Sequence, residues 1–276
     1  MSTKVISVLC EGPHDVSFLI KLIRVIGFKM CEGTKLKDFP SPMNHFLVTE
    51  ATKANIEELK LSEINHALLP SGVLKNKEET IFFFLYALGG DSRKDKREKI
   101  LTTLMDSIPR AGEYTEQLVD TETSLAYFLD ADEKGITTRL VELTEEIQTV
   151  LSSKEPSIST NGDVISFNGL QIGGYVFARE GENLGRLEDI MLPMMKQNNE
   201  KIFDDAEKYI DAHLDSKRVK KGNFKKDKAT IGIAGQLQRS GTSNNVIINH
   251  SDYITKDKIE NHNRCKEIIT FFKQFT

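Results

Sequence analysis

Two acidic groups in this chain fall where a metal or catalytic site can be built. Glu11 directly follows the apolar run KVISVLC of residues 4–10, and Asp15 comes four residues later in EGPHD, with Gly12 between them to let the chain turn sharply. Asp130 and Asp132 close a second apolar run in FLDADEKG. Residues two apart in an extended segment point the same way, so both carboxylates are expected to face one ion across the small Ala131. Mg²⁺ and Mn²⁺ take hard oxygen donors, and carboxylates crowded together without a cation repel one another. Each group alone has an ordinary structural reading, since an acid in a first helical turn suits the helix dipole and an acid after a strand caps a helix. Their occurrence together, at the ends of separate strands, is what points to metal chemistry.

The elements that must position these acids follow from hydrophobic periodicity. Residues 4–10 are almost continuously apolar and β-branched, the pattern of a strand buried on both faces of a parallel sheet. From Asp15 to Ile26, apolar residues recur at Val16, Leu19, Ile20, Ile23 and Ile26, which predicts a helix stopped by Gly27. Residues 31–43 carry two Pro and predict a loop, His45–Thr49 a short strand, and 53–69 a weak helix. Ile81–Leu88 and Ser124–Leu129 predict two more buried strands, each followed by a helix, to about Ser107 and Leu151 respectively. VISFNGLQI and GGYVFARE predict one or two further strands, and the chain beyond Leu187 reads as several helices. Alternating strands and helices imply an α/β fold with a mostly parallel sheet, whose ligands collect beyond the carboxyl ends of the strands. The expected organisation is an α/β domain over 1–200, interrupted by a segment inserted at about 31–77, with a helical extension over 201–276 packed on it.

Composition narrows the function classes. The 276 residues are 39% hydrophobic and 28% charged, which excludes collagen-like, low-complexity and disordered chains. Three cysteines at unrelated spacings, Cys10, Cys31 and Cys265, give neither a zinc motif nor a disulfide framework. No HExxH, GxSxG or Walker pattern is present, and no apolar stretch reaches the roughly 18 residues of a membrane span. The N-terminal apolar run is too brief for a secretory signal, so a cytoplasmic, reducing environment is expected.

EGPHD after a first buried strand, followed later by a strand ending in DAD, resembles the TOPRIM domain of topoisomerases, bacterial primases and OLD-type nucleases. The resemblance covers residues 1–30 and 78–180. It implies that Glu11 is the family's glutamate and that Asp130 and Asp132 are its DxD pair, cupping Mg²⁺ or Mn²⁺. Asp15 matches the acid that OLD-like and small stand-alone members carry four residues after the glutamate. GRLED at 185–189 is similar to an element of stand-alone bacterial members, which makes Glu188 a further candidate ligand, with Glu180 and Glu182 as weaker alternatives.

Formal net charge is −4, which on its own argues against a polyanionic partner. Yet Lys217, Arg218, Lys220, Lys221, Lys225, Lys226 and Lys228 fall within one short segment, able to neutralise phosphates locally or, in the plainer reading, to form a solvated loop. OLD-type nucleases place a lysine near the scissile phosphate from beyond the DxD, and the resemblance puts Lys228 in that role. The stretch 235–254, rich in small polar residues, is expected to form a loop over the site, and His14 a solvated turn residue that could contact substrate. The expected activity is therefore metal-dependent phosphotransfer on DNA or RNA, with Glu11, Asp130, Asp132 and Lys228 catalytic. Primase-like nucleotidyl transfer and a non-catalytic, metal-binding subunit of a defence system are the alternatives. Any OLD-like ATPase function would come from a protein partner, and oligomeric state is left open.

Overall fold

The computed structural model describes residues 2–53, 68–90, 93–108, 121–215, 217, 219 and 225–276. Among them the chain is α/β. Its sheet has seven strands in the order β2-β3-β4-β1-β5-β7-β6, comprising β1 Thr3–Cys10, β2 Lys29–Met30, β3 Gly72–Lys75, β4 Ile81–Ala87, β5 Thr121–Asp130, β6 Val164–Phe167 and β7 Leu170–Phe177. The central four, β4, β1, β5 and β7, run parallel, whereas β2, β3 and β6 add antiparallel edges. Val8 pairs with Leu85 on one side and Ala126 on the other, so β1 lies in the middle of the parallel block, buried on both faces as its unbroken apolar sequence requires.

The helices after β1 and β5 leave towards opposite faces of the sheet. The first, α1 (Pro13–Val25), buries Val16, Phe18, Leu19, Leu22 and Ile23 in a core shared with Val8, Leu85 and Ala126. After β5, α4 (Ile136–Leu151) buries Leu140, Leu143 and Ile147 on the other face, beside α3 (Lys94–Asp106) with Ile100, Leu101 and Leu104. A crevice opens between two parallel strands whose connections part in this way. Glu11 and Asp130 stand at its lip.

Beyond β7 the described residues form six helices joined by turns: α5 (Leu187–Lys196), α6 (Glu200–His213), α7 (Lys226–Gly235), α8 (Asn244–His250), α9 (Lys256–Asn261) and α10 (Asn263–Lys273). These helices and α1 cover one sheet face in a continuous apolar core. Phe271 and Phe272 of α10 stack on Phe128 of β5 at centroid distances of 5.5 and 5.3 Å. Gly173 permits this approach, because a Cβ there would lie 2.7 Å from the Phe271 ring. Each buried phenyl contributes roughly 2–3 kcal/mol by area removed from water. Among the described residues no helix is long and apolar enough to cross a membrane.

Two expectations need correction. His45–Thr49 is not a strand but part of the helix α2 (Met43–Lys53). Met43, Leu47 and Glu50 are buried at helical spacing, and Glu50 pairs with Lys99 at 2.9 Å, so packing overrides the β-preference of Phe46-Leu47-Val48. The polar stretch 235–254 is only partly a loop, since it contains α8. Most of 53–69, expected as a weak helix, lies outside the described residues.

Candidate functional site

Because β1 and β5 are neighbours in register, their last side chains meet. Glu11 Oε1 accepts a hydrogen bond from the Asp130 amide at 3.3 Å. Asp130 turns its own Oδ1 to the amide of Leu187, the first residue of α5, at 2.8 Å. Asp15 folds back from the first turn of α1 to accept from the Gly12 amide at 2.8 Å. Each of these bonds satisfies an amide that lacks an intrahelical partner or stands at a strand end. Together they bring three carboxylates from sequence-distant segments to one rim.

Glu188 completes the group from α5. Its side chain, 4% exposed, lies 3.2 Å from Lys228 Nζ and 3.3 Å from His14 Nδ1. Burial alone would raise the Glu188 carboxyl, but the hydrogen bonds from His14 and Lys228 outweigh it and hold the group down at about 2. Asp15 is in the reverse situation. It is 7% exposed, and burial, helped by the charges of Glu11 and Glu188, lifts it to about 7 despite the Gly12 amide. Asp130 is raised well above the carboxylate range by burial first and by Asp15 and Glu11 next. Glu11, Asp15 and Asp130 border a cavity of about 470 Å³, whose wall also includes Gly90, Ser243–Asn245 and the two partners of Glu188, His14 and Lys228. In that wall Asn244 donates to the Lys228 carbonyl at 2.7 Å.

This donor chemistry fits a hard divalent cation. The oxygens are all carboxylate, and burial first, then the neighbouring acids, raises both Asp15 and Asp130 above the usual carboxylate range. The acids now serve helix caps and ion pairs, and among the described residues no group of three or more His, Cys, Asp or Glu side chains stands in a ready metal-holding arrangement.

Asp132 is not brought to this cavity. The strand ends at Asp130, and Asp132 adopts φ +47°, outside the extended region in which alternate side chains share a face. Its amide and carbonyl bond to Gly185 at 2.6 and 3.1 Å, and its carboxylate accepts from Arg139 at 3.0 Å. It lines a second cavity, of about 850 Å³, with Arg179, Arg186 and Lys225. Of the basic segment, Lys228 reaches the acids, Lys226 pairs with Asp211 at 2.6 Å, and Lys217 accompanies Asp215, which bonds its amide at 2.9 Å. Arg218, Lys220 and Lys221 lie outside the described residues. Glu180 and Glu182 are exposed, the former bonded by Asn263 and the latter by Arg179, and neither borders the acidic cavity.

Sequence reasoning missed two participants. His14 is not a solvated turn residue: its ring is held against Glu188. Arg139, 3% exposed, donates to the Asp130 carbonyl at 2.8 Å and to Asp132, and lies 4.0 Å from Glu11. A signal existed, because Arg139 falls on the buried stripe of α4 with Leu143 and Glu146, where an unpaired charge would be intolerable.

Nearly the whole chain, residues 6–276, matches the model of DUF3226, a family described as proteins of unknown function. The chain belongs to this family. Its fold is similar to the crystal structure of the hypothetical protein PH0156 from Pyrococcus horikoshii OT3, at 16% identity and a TM-score of 0.55, over 99% of this chain and 95% of that one. At that identity the likeness concerns the fold alone. No curated protein matches the chain.

Proposed function

We propose that this DUF3226 protein is a Mg²⁺- or Mn²⁺-dependent phosphotransfer enzyme of TOPRIM type, a nuclease hydrolysing phosphodiester bonds in DNA or RNA. The observation that carries the reading is the meeting of Glu11, Asp15 and Asp130 in one cavity at the carboxyl ends of parallel strands, beside Lys228, which Glu188 pairs with. A divalent cation held there supplies Lewis acidity, lowering the pKa of water and neutralising charge that develops on phosphate. Glu11, Asp15 and Asp130 would hold it. Lys228 lines the same cavity with its ammonium paired to Glu188, and there it would attract and orient the non-bridging phosphate oxygens. Lys217, Lys225 and Lys226, with the neighbouring basic positions of the segment, supply sequence-independent affinity for the backbone.

Plasmid nicking with Mn²⁺ tests the reading. Glu11→Gln and Asp130→Asn keep the size of each side chain and a hydrogen-bonding oxygen but remove a charge, and each is expected to lower nicking at least ~100-fold, within the range for loss of a transition-state electrostatic contact. Undiminished cleavage sinks the proposal. A second reading has its own support, because Asp15 and Asp130 each cap a helix. A non-catalytic metal-binding subunit would show a metal-dependent rise in Tm and no cleavage with any nucleic acid.

A further inference from the structure

The two acids of the DAD element are held in unlike ways. Asp130 ends β5 and borders the cavity of Glu11, Asp15 and Lys228, whereas Asp132 lies one turn further, 47% exposed in its side chain, on the wall of the other cavity. Three contacts fix Asp132 where it is. Its backbone is bridged in both directions to Gly185, and its carboxylate is bonded to Arg139. Gly185 is itself tightly enclosed at φ +118°, with the Arg179 amide 2.9 Å from where a Cβ would lie. The bridge therefore cannot slide without disturbing the entry to α5, whose first amide is bonded to Asp130. Turning Asp132 towards Glu11 would require breaking the bridge and abandoning Arg139.

Arg139 meanwhile stands where a second cation would be wanted. Its guanidinium bonds the Asp130 carbonyl and the Asp132 carboxylate, lies 4.0 Å from Glu11 Oε1, and is also 3.4 Å from Glu142. A guanidinium is permanently charged and presents several donors in a fixed plane, so it joins these oxygens without needing a metal.

Resting on the metal reading above, we propose that the centre takes one divalent ion, held on the side of Glu11, Asp15 and Asp130, and that Arg139 serves as its fixed second cation. Asp132 is then a ligand of Arg139 and not of metal. It acts as a positioning residue, locking the guanidinium against Glu11 and the Asp130 carbonyl.

Counting Mn²⁺ bound to the full chain, by titration calorimetry with free ion followed by electron paramagnetic resonance, tests this without reference to activity. The wild type is expected to bind one Mn²⁺. Asp132→Asn should bind one with a Kd changed less than about threefold, and Asp130→Asn should weaken binding by at least about tenfold. Arg139→Gln should raise the count to two, because the guanidinium that bonds Asp132 and lies 4.0 Å from Glu11 is then gone, and Arg139→Lys should return it to one. Circular dichroism checks that each variant is folded. Asp132 is largely on the surface, so its variant stays informative even if Arg139→Gln does not fold. Two Mn²⁺ in the wild type with one lost in Asp132→Asn overturns this inference while leaving the metal reading intact. A single Mn²⁺ whose affinity collapses in Asp132→Asn does the same, as does a folded Arg139→Gln that still binds one. No Mn²⁺ bound by the wild type overturns both.

Discussion

Two sets of buried charge lie at the carboxyl ends and on the flank of the same sheet, and they are treated differently. Arg97 of α3 and Glu146 of α4 form a closed pair, with Nε to Oε1 at 2.8 Å and Nη2 to Oε2 at 2.7 Å, and both side chains almost fully buried. Every charge there is answered by a parallel bidentate bond. In the crevice, Lys228 answers Glu188 and Arg139 lies 4.0 Å from Glu11, while burial and the neighbouring acids lift Asp15 and Asp130 out of the usual carboxylate range. A balanced buried pair joins two helices. An unbalanced cluster costs stability, and the capping bonds from Gly12 and Leu187 hold Asp15 and Asp130 in place against it.

The comparison can be broken first at its balanced end. Glu146→Ala leaves Arg97 charged, buried and alone, so urea unfolding should show a loss of about 3–5 kcal/mol, whereas the double variant Arg97→Met/Glu146→Leu should come within ~1 kcal/mol of wild type. If the single variant costs nothing, the pair is not holding α3 to α4.

At the unbalanced end, adding Mn²⁺ at about a hundred times its Kd should stabilise the folded protein by ~2.7 kcal/mol, and less so for Asp130→Asn. The gain should be larger at pH 8 than at pH 6, because at pH 6 a proton still sits on Asp15 and must be displaced. Equal shifts at both pH values would argue that the ion binds elsewhere.

Asp15 also gives a metal-free test. Its folded-state pKa of about 7 lies above the ordinary aspartate value of 3.8, so the folded form binds the proton more tightly than the unfolded chain. Its contribution is fully present below pH ~4 and is lost as pH rises through about 7. Asp15→Asn keeps an oxygen for the Gly12 amide but cannot ionise. Thermal unfolding without metal should therefore find this variant more stable than wild type at pH 8, by on the order of 2 kcal/mol, with the advantage fading towards pH 4.

The smallest effect is expected at the surface. Lys226→Ala removes an exposed pair with Asp211 and should change stability by less than ~0.5 kcal/mol, while reducing the salt dependence of any nucleic-acid binding. A large stability loss there would mean that the start of α7 is structural and not a contact surface.

Much of the framework was legible because buried parallel strands write themselves as unbroken apolar runs. KVISVLC, IFFFLYA and the run ending at Leu129 became β1, β4 and β5, and the helical spacing of Val16, Leu19 and Ile23 became the buried face of α1. The same logic failed at His45–Thr49, where a few residues with strand preference sit inside a longer stripe that only the neighbouring β4 face makes visible. His14 was misjudged because its partner, Glu188, is remote in sequence.

The sequence by itself determined that Glu11 and Asp130 would stand at the ends of separate buried strands, because an apolar run stops at an acid where the strand leaves the core; that the two strands are neighbours is a fact of the sheet. Only the tertiary structure decided which of the remaining acids join them. Glu188 is drawn in by α5, docked through the Leu187 amide on Asp130, and Asp132 is turned away by its bridge to Gly185 and its bond to Arg139. The physical reason is that alternation assigns a face only while the backbone stays extended. Beyond the last strand residue, long-range hydrogen bonds set the direction of a side chain, and no local pattern encodes them.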